Sequence, residues 1–134
     1  ASEDVGNADP QALILANAAL QVSEFVGMPE ARIPLAQAAI YVACAPKSNA
    51  AYMGVEAALK DVEEGKVLEV PDHLKDASMD GDVLGHGKGY KYAHDFKDHY
   101  VNQEYKPSAT RYYIPTSMGH EAKIKEWLEK LRNA

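Results

Sequence analysis

Over most of the first half of the chain, apolar residues recur at three- and four-residue intervals, the period of a helix with one face turned to a core. A first helix is predicted over residues 10–26. Asp9 supplies an N-cap oxygen and Pro10 suits the first helical position; Ala12, Leu13, Ala16, Ala19 and Leu20 fall at helical spacing, and Gly27 ends the run. A second helix is predicted to start near Pro29-Glu30, with Ile33, Ala36, Ile40 and Ala43 as a core-facing stripe that Leu35 and Ala39 widen. Pro34 falls in its first turns, where proline is tolerated, and Pro46 stops it. Two helices joined by a short Gly-containing turn make an antiparallel hairpin. A third helix follows Lys47-Ser48-Asn49, with Ser48 or Asn49 as cap, Tyr52, Val55, Ala58, Leu59 and Val62 on its apolar face, and Gly65 as terminator. Gly54 lies inside it. A mid-helix glycine costs about 1 kcal/mol against alanine, so close contact with another helix is its expected reason.

From residue 70 to 116 the periodicity disappears. Pro71, Pro107 and Pro115 punctuate this stretch, together with Gly81, Gly85, Gly87 and Gly89. Short helices are expected near residues 72–77 and 98–103, because a long structureless segment is unusual in a compact domain. Six of the eight tyrosines lie here (Tyr90, Tyr92, Tyr100, Tyr105, Tyr112, Tyr113). Disordered chains are poor in aromatics, so the segment is expected to wrap the helices and pack its rings on them. A last helix carries Ile124, Trp127, Leu128 and Leu131 on one face, with Glu121→Lys125 and Glu126→Lys130 as favourable i,i+4 pairs. The fold class is therefore all-α: a helical hairpin plus further helices, with a long Gly/Tyr-rich irregular segment, in one domain over residues 1–134.

Composition agrees with this: 46% of the residues are apolar, and alanine, the best helix former, supplies much of that fraction. No apolar run approaches the roughly 20 residues a membrane span needs, and no signal-peptide pattern opens the chain, so no membrane partner is expected. The single cysteine, Cys44, makes no internal disulfide, which suits a reducing cytosol. Its apolar surroundings predict a buried helical thiol, packed as a small hydrophobe. A net charge of −6 argues against nucleic-acid binding by the whole surface. The charge is uneven, however. Residues 85–113 hold five Lys/Arg (Lys88, Lys91, Lys97, Lys106, Arg111) against three acids, and the remainder holds nine against seventeen. The chain opens Ala1-Ser2-Glu3-Asp4, without Met, and reads as a fragment of a longer protein.

Several runs invite a chemical reading. Gly85-His86-Gly87-Lys88-Gly89-Tyr90 resembles a phosphate loop, but a P-loop needs Ser or Thr after its lysine and a preceding strand, and Gly89 follows Lys88. A glycine turn that brings the backbone close to a neighbour is the better account. His94, His99 and Asp95 could suggest a metal, yet no metal-ligand spacing is present among the five histidines, and packing or surface roles are preferred. Ser48 with Lys47 could suggest a nucleophile pair; a capping serine explains the same residues. Acid pairs such as Glu63-Glu64 and Asp80/Asp82 look solvated, and no carboxylate stands out as buried and perturbed. A hydrolase built on His94 or Cys44 is therefore the weakest reading. The basic-aromatic stretch is more informative. Lys88, Lys91, Lys97, Lys106 and Arg111 interleave with Tyr90, Tyr92, Phe96, Tyr100, Tyr105, Tyr112 and Tyr113. Cations for phosphates and rings for bases make a single-strand platform; the alternative is that the rings are core and the lysines solubilise.

A family resemblance rests on Ala45-Pro46-Lys47-Ser48-Asn49, Val70-Pro71-Asp72-His73-Leu74, and the run from Gly85, Gly87 and Gly89 through Tyr92-Ala93-His94-Asp95. Gln103-Glu104-Tyr105-Lys106-Pro107, Tyr113-Ile114-Pro115-Thr116 and Gly119-His120-Glu121 extend it to nearly the whole chain. In order and at this spacing these motifs resemble the C-terminal domain of the MgsA/RarA family of AAA+ ATPases. The opening six residues and Ala8-Asp9-Pro10 are similar to that family's junction after the ATPase lid. Two positions depart from it. Asn7 follows Gly6 where the family reads Gly-Leu, and Lys106 stands where it often has Leu. The resemblance implies a clamp-loader-collar-like, non-catalytic domain that assembles as a homotetramer. It implies a parent that hydrolyses ATP with Mg²⁺ in a module absent from these residues, so no cofactor is expected here. It also implies DNA and replication proteins such as single-strand-binding protein as partners, and a cytoplasmic, nucleoid-associated site of action.

Overall fold

A computed structural model of the chain describes residues 1–66 and 68–133. Among them are four α-helices and no strand: α1 (Gln11–Val26), α2 (Arg32–Cys44), α3 (Ala50–Glu63) and α4 (Glu121–Arg132), with 3-10 turns at Gly6–Ala8, Asp72–Leu74, Ala93–Asp95 and Lys97–His99. The fold is all-α. Among the described residues no helix is long and apolar enough to cross a membrane.

Local signals set the helix ends. Asp9 Oδ1 accepts from the Gln11 N–H at 3.1 Å and Oδ2 accepts from the Tyr41 hydroxyl at 2.8 Å, so one carboxylate caps α1 and ties α2 to its start. Gly27, at φ 69°, ends α1. α2 begins at Arg32 rather than near Pro29, because residues 27–31 close a turn in which Ala31 N donates to Gly27 O at 2.8 Å. Pro34 stands at its third position. Ser48 Oγ caps α3 by accepting from Ala50 N at 3.2 Å. Beyond α3, Gly65 takes φ 75° and Lys66 N returns to Asp61 O at 2.8 Å, a terminator of Schellman type.

The helix faces differ from expectation. α1 and α2 pack on each other, but their buried positions are alanines: Ala12 and Ala19 on α1, and Ala38 on α2, seven residues after the buried Ala31 that precedes it. The stripe expected to face the core is exposed, with Ile33 at 66% and Ile40 at 65%. Leu13 and Leu20 on α1, and Val55, Leu59 and Val62 on α3, are exposed as well. Small side chains let the two backbones approach closely, and the large ones are left on the outside. Cys44 is likewise exposed, not buried. Gly54 is buried for a reason other than helix contact: a Cβ there would stand 3.2 Å from the Tyr112 carbonyl, so α3 lies against an extended segment.

The chain divides into two compact units, residues 1–60 with 112–134, and residues 61–111. Unit one holds α1, α2, α4 and α3 as far as Lys60. Its last helix half-buries Ile124, Leu128 and Leu131, while Trp127 is exposed beneath the Lys130 ammonium, 4.7 Å from the ring centroid. Unit two contains the segment expected to wrap the helices. It is a compact unit of its own, held by loops and 3-10 turns, and its rings at Tyr90, Tyr92, Phe96 and Tyr105 are exposed rather than packed. Residues 98–103 form no α-helix; Asp98 and His99 take positive φ of 57° and 51°.

Candidate functional site

The densest polar construction in unit one surrounds Glu121, in the first turn of α4. Its side chain is fully buried at 0% exposure. Oε2 accepts from Ser48 Oγ (2.6 Å), Thr116 N (2.9 Å) and Thr116 Oγ1 (2.6 Å), and Oε1 accepts from the Tyr113 hydroxyl (2.9 Å). Burial pushes the carboxyl up, but the donations from Ser48, Thr116 and Tyr113 outweigh it and hold Glu121 below its ordinary value. The Tyr113 phenol is pushed up, first by burial and then by the neighbouring carboxylate. The expected Glu121–Lys125 pair is replaced by these contacts, and Lys125 Nζ donates to Ser117 Oγ at 3.3 Å.

The flanking motif residues serve the same construction. Lys47 Nζ donates to the carbonyls of Val42, Ala43 and Ala45, capping the C-terminus of α2, and Asn49 O accepts from Met53 N at 2.9 Å. With Lys47 on carbonyls and Ser48 Oγ on Glu121, no Ser/Lys nucleophile pair is built. Gly119, at φ 52°, is pressed on its neighbours: a Cβ there would meet Ala8 O at 2.2 Å and Pro46 Cγ at 2.7 Å. Pro115 sits half-buried between Tyr113 and Thr116. An open cleft of about 480 Å³ lined by Asp4, Lys47, Ser48, Asn49 and Thr116 adjoins the cluster.

The basic-aromatic candidates fall in unit two, except Tyr112 and Tyr113. These belong to unit one, and Tyr113 is committed to Glu121. Lys88, Lys91, Lys97 and Arg111 are exposed; Lys106 is half-buried and its ammonium donates to the Thr110 carbonyl. Gln103 bridges two stretches of backbone: Oε1 accepts from Lys91 N (3.2 Å), while Nε2 donates to Lys91 O (3.0 Å) and to the Tyr105 hydroxyl (3.2 Å). Tyr92, His94 and His99 form a ladder of exposed rings, with centroids 5.1 and 4.9 Å apart. Gly85, Gly87 and Gly89 all adopt positive φ, of 82°, 70° and 83°. Only Gly87 is also crowded, by Ala77 Cβ, so backbone conformation rather than close approach explains the other two. His73 is half-buried and its Nε2 has no hydrogen-bond partner. Among the described residues no group of three His, Cys, Asp or Glu is placed to hold a metal ion.

In the sequence Glu121 stands on the charged face of the last helix, where nothing local marks its burial. Ser48 is 73 residues away, and such a pairing leaves no local signal. The available sign was indirect: the Ser48, Tyr113–Thr116 and Gly119–Glu121 motif runs each supply a member of the cluster.

The sequence profile of the family described as MgsA AAA+ ATPase C terminal matches residues 1–132. The chain is 46% identical to an uncharacterized AAA domain-containing protein of Mycobacterium tuberculosis, over 98% of this chain and 30% of that protein. It is 44% identical to Replication-associated recombination protein A of Bacillus subtilis, over 98% of this chain and 32% of that protein. The Escherichia coli protein of the same name is 47% identical, over 96% and 30%. The chain thus spans about a third of the length of these relatives. A profile match from the first residue to within two of the last, supported at this identity by each of these proteins, places the chain in the MgsA/RarA family of AAA+ ATPases, as a C-terminal domain of that family.

Proposed function

We propose that this domain holds copies of its parent protein together, as a homotetramer, through the exposed apolar faces of α1, α2 and α3. The observation that carries this reading is the inverted distribution of side chains on those helices. The buried positions are small, Ala12 and Ala19 on α1, Ala38 on α2, Ala50 and Gly54 on α3, while Leu13, Ile14, Leu20, Ile33, Ile40 and Leu59 are each at least half exposed. Burying a large apolar side chain is worth about 1.5–3 kcal/mol, and contiguous exposed apolar surface of this kind marks an interface. α1 and α2 are nearly uncharged as well, with Glu24 the one charged residue of α1 and Arg32 that of α2, while α3 carries Glu56, Lys60, Asp61 and Glu63. Such surfaces suit helix packing between identical subunits. The parent is read as a AAA+ ATPase of replication-associated recombination, hydrolysing ATP with Mg²⁺ in a module outside these residues. The test is the solution mass of the chain by light scattering across protein and salt concentrations. A mass of four protomers, unaffected by salt, is expected, falling toward one in the Ile33→Asp/Ile40→Asp variant with helical circular dichroism retained. A strict monomer at high protein concentration overturns the reading for this domain.

A second reading, compatible with the first, is DNA contact by unit two. It is favoured by the exposure of Lys88, Lys91, Lys97 and Arg111 beside the uncovered rings of Tyr90 and Tyr92. Phosphate contacts weaken steeply with salt and apolar self-association does not, so the two activities separate in one titration.

A further inference from the structure

Residues 1–8 form a short strap. Val5 N and Gly6 N both donate to Ala1 O (3.2 and 2.9 Å), and Ala8 N donates to Val5 O (3.1 Å). Val5 and Ala8 are buried. The strap is fastened at three points: Ser48 N donates to Asp4 O (2.8 Å), His120 N donates to Ala8 O (2.7 Å), and Asn7 Nδ2 donates to the Tyr113 hydroxyl (3.3 Å). Glycines make the closeness affordable to the backbone, since a Cβ at Gly6 would lie 2.8 Å from Ser48 O and one at Gly119 would lie 2.2 Å from Ala8 O.

The groups that receive the strap are the groups that Glu121 organises. Ser48 holds Asp4 by its N–H and Glu121 by its hydroxyl. Tyr113 accepts from Asn7 and donates to Glu121. His120 precedes Glu121 in the chain. The carboxylate is fully buried, so each donor that leaves it exposes a charge to an unsolvated site at high cost. The strap and the carboxylate therefore share their supports. We propose that Glu121 is the bolt of a latch: residues 1–8, the start of α3 and the start of α4 close on its carboxylate as one cooperative unit and open as one. The latch stands independently of the assembly reading. Its use as a relay, in which a domain preceding residue 1 displaces α3 and α4, rests on the reading of the parent as an ATPase.

Native-state hydrogen exchange on the 134-residue chain, at increasing denaturant, tests the latch. The amides of Ala8, Ser48, Thr116 and His120 should merge into a single opening, at lower denaturant than the opening of the α1 interior. Glu121→Gln should accelerate those four amides by one common factor, roughly ten- to hundredfold for the loss of hydrogen bonds to a charge, and leave α1 unchanged. Gly119→Ala acts from the strap side by driving Ala8 O away. It should accelerate Thr116, whose N–H donates to Glu121, as much as Ser48. Four separate openings in the unsubstituted chain overturn the proposal. So does a Gly119→Ala variant that frees Ser48 and His120 while Thr116 remains protected. Equal acceleration throughout, α1 included, makes Glu121 a determinant of global stability and not a bolt. Should Glu121→Gln fail to fold, the unsubstituted chain and Gly119→Ala decide.

Discussion

A carboxylate removed from water keeps its charge only where hydrogen-bond donors replace the solvent, and Glu121 receives four donations from three residues. Its carboxyl is held below the ordinary value in the fold, which sets the sign of its pH dependence. The stabilisation is fully present above the unfolded value of about 4.3 and is lost as the pH falls through the folded one. The difference in urea midpoint between the unsubstituted chain and Glu121→Gln should therefore be greatest near neutrality and shrink below about pH 4.3. A difference that persists undiminished to pH 2 would show that the charge is immaterial. Glu121→Ala removes the acceptor altogether, leaves the Ser48, Thr116 and Tyr113 donors buried without it, and should cost on the order of 3 kcal/mol in the same titration at neutral pH. None of this was legible at Glu121 itself, which in sequence is an acid at the head of a charged helix. Asn7, a departure from the family pattern, turns out to bind Tyr113 and so joins the same cluster.

At the scale of elements, the ends of the helices were readable and their faces were not. Asp9, Gly27, Ser48 and Gly65 act where their local chemistry places them, because caps and terminators are decided within a few residues. Which side of a helix is covered depends on partners distant in sequence, so the Ile33–Ile40 stripe had the right period and the wrong assignment. Residues 61–111 were harder still: 3-10 turns and side-chain bridges such as Gln103 to Lys91 have no period to detect, and the run of rings that looked continuous to Tyr113 is divided at Arg111. Gly54 separates local from tertiary demands. Alanine there should raise the helicity of an isolated peptide spanning residues 50–63, by about 1 kcal/mol in propensity. In the folded chain the new Cβ stands 3.2 Å from the Tyr112 carbonyl, so the denaturation midpoint should not rise. A rise equivalent to the full propensity gain would mean that the 112–113 segment yields freely and that its closeness to α3 does not determine the residue.

For the molecule as a whole, the charge distribution makes DNA contact a question about particular lysines. The chain carries −6 overall, so any attraction to phosphate must come from a local excess of cations. Residues 85–113 supply it, with five Lys/Arg against three acids, although unit two as a whole is acidic; within that stretch Lys88 and Lys97 are exposed, whereas the Lys106 ammonium donates to the Thr110 carbonyl in a half-buried position. A lysine on phosphate contributes about one unit to the slope of log affinity against log salt, and its removal subtracts about that much. Fluorescence anisotropy with a labelled single strand should then show Lys88→Ala and Lys97→Ala each lowering that slope by about one, with weakening that is independent of base sequence. Lys106→Ala should lower the slope less, since its ammonium keeps its charge but is held against the Thr110 carbonyl in a half-buried position. Tyr92→Ala should weaken binding with no change of slope, because stacking releases no counterions. Equal slopes for all four variants, or binding that survives high salt, would remove phosphate contact from unit two. The mass measurement would be unaffected by that result, since α1 and α2, which carry one charged residue each, offer almost no charge to screen.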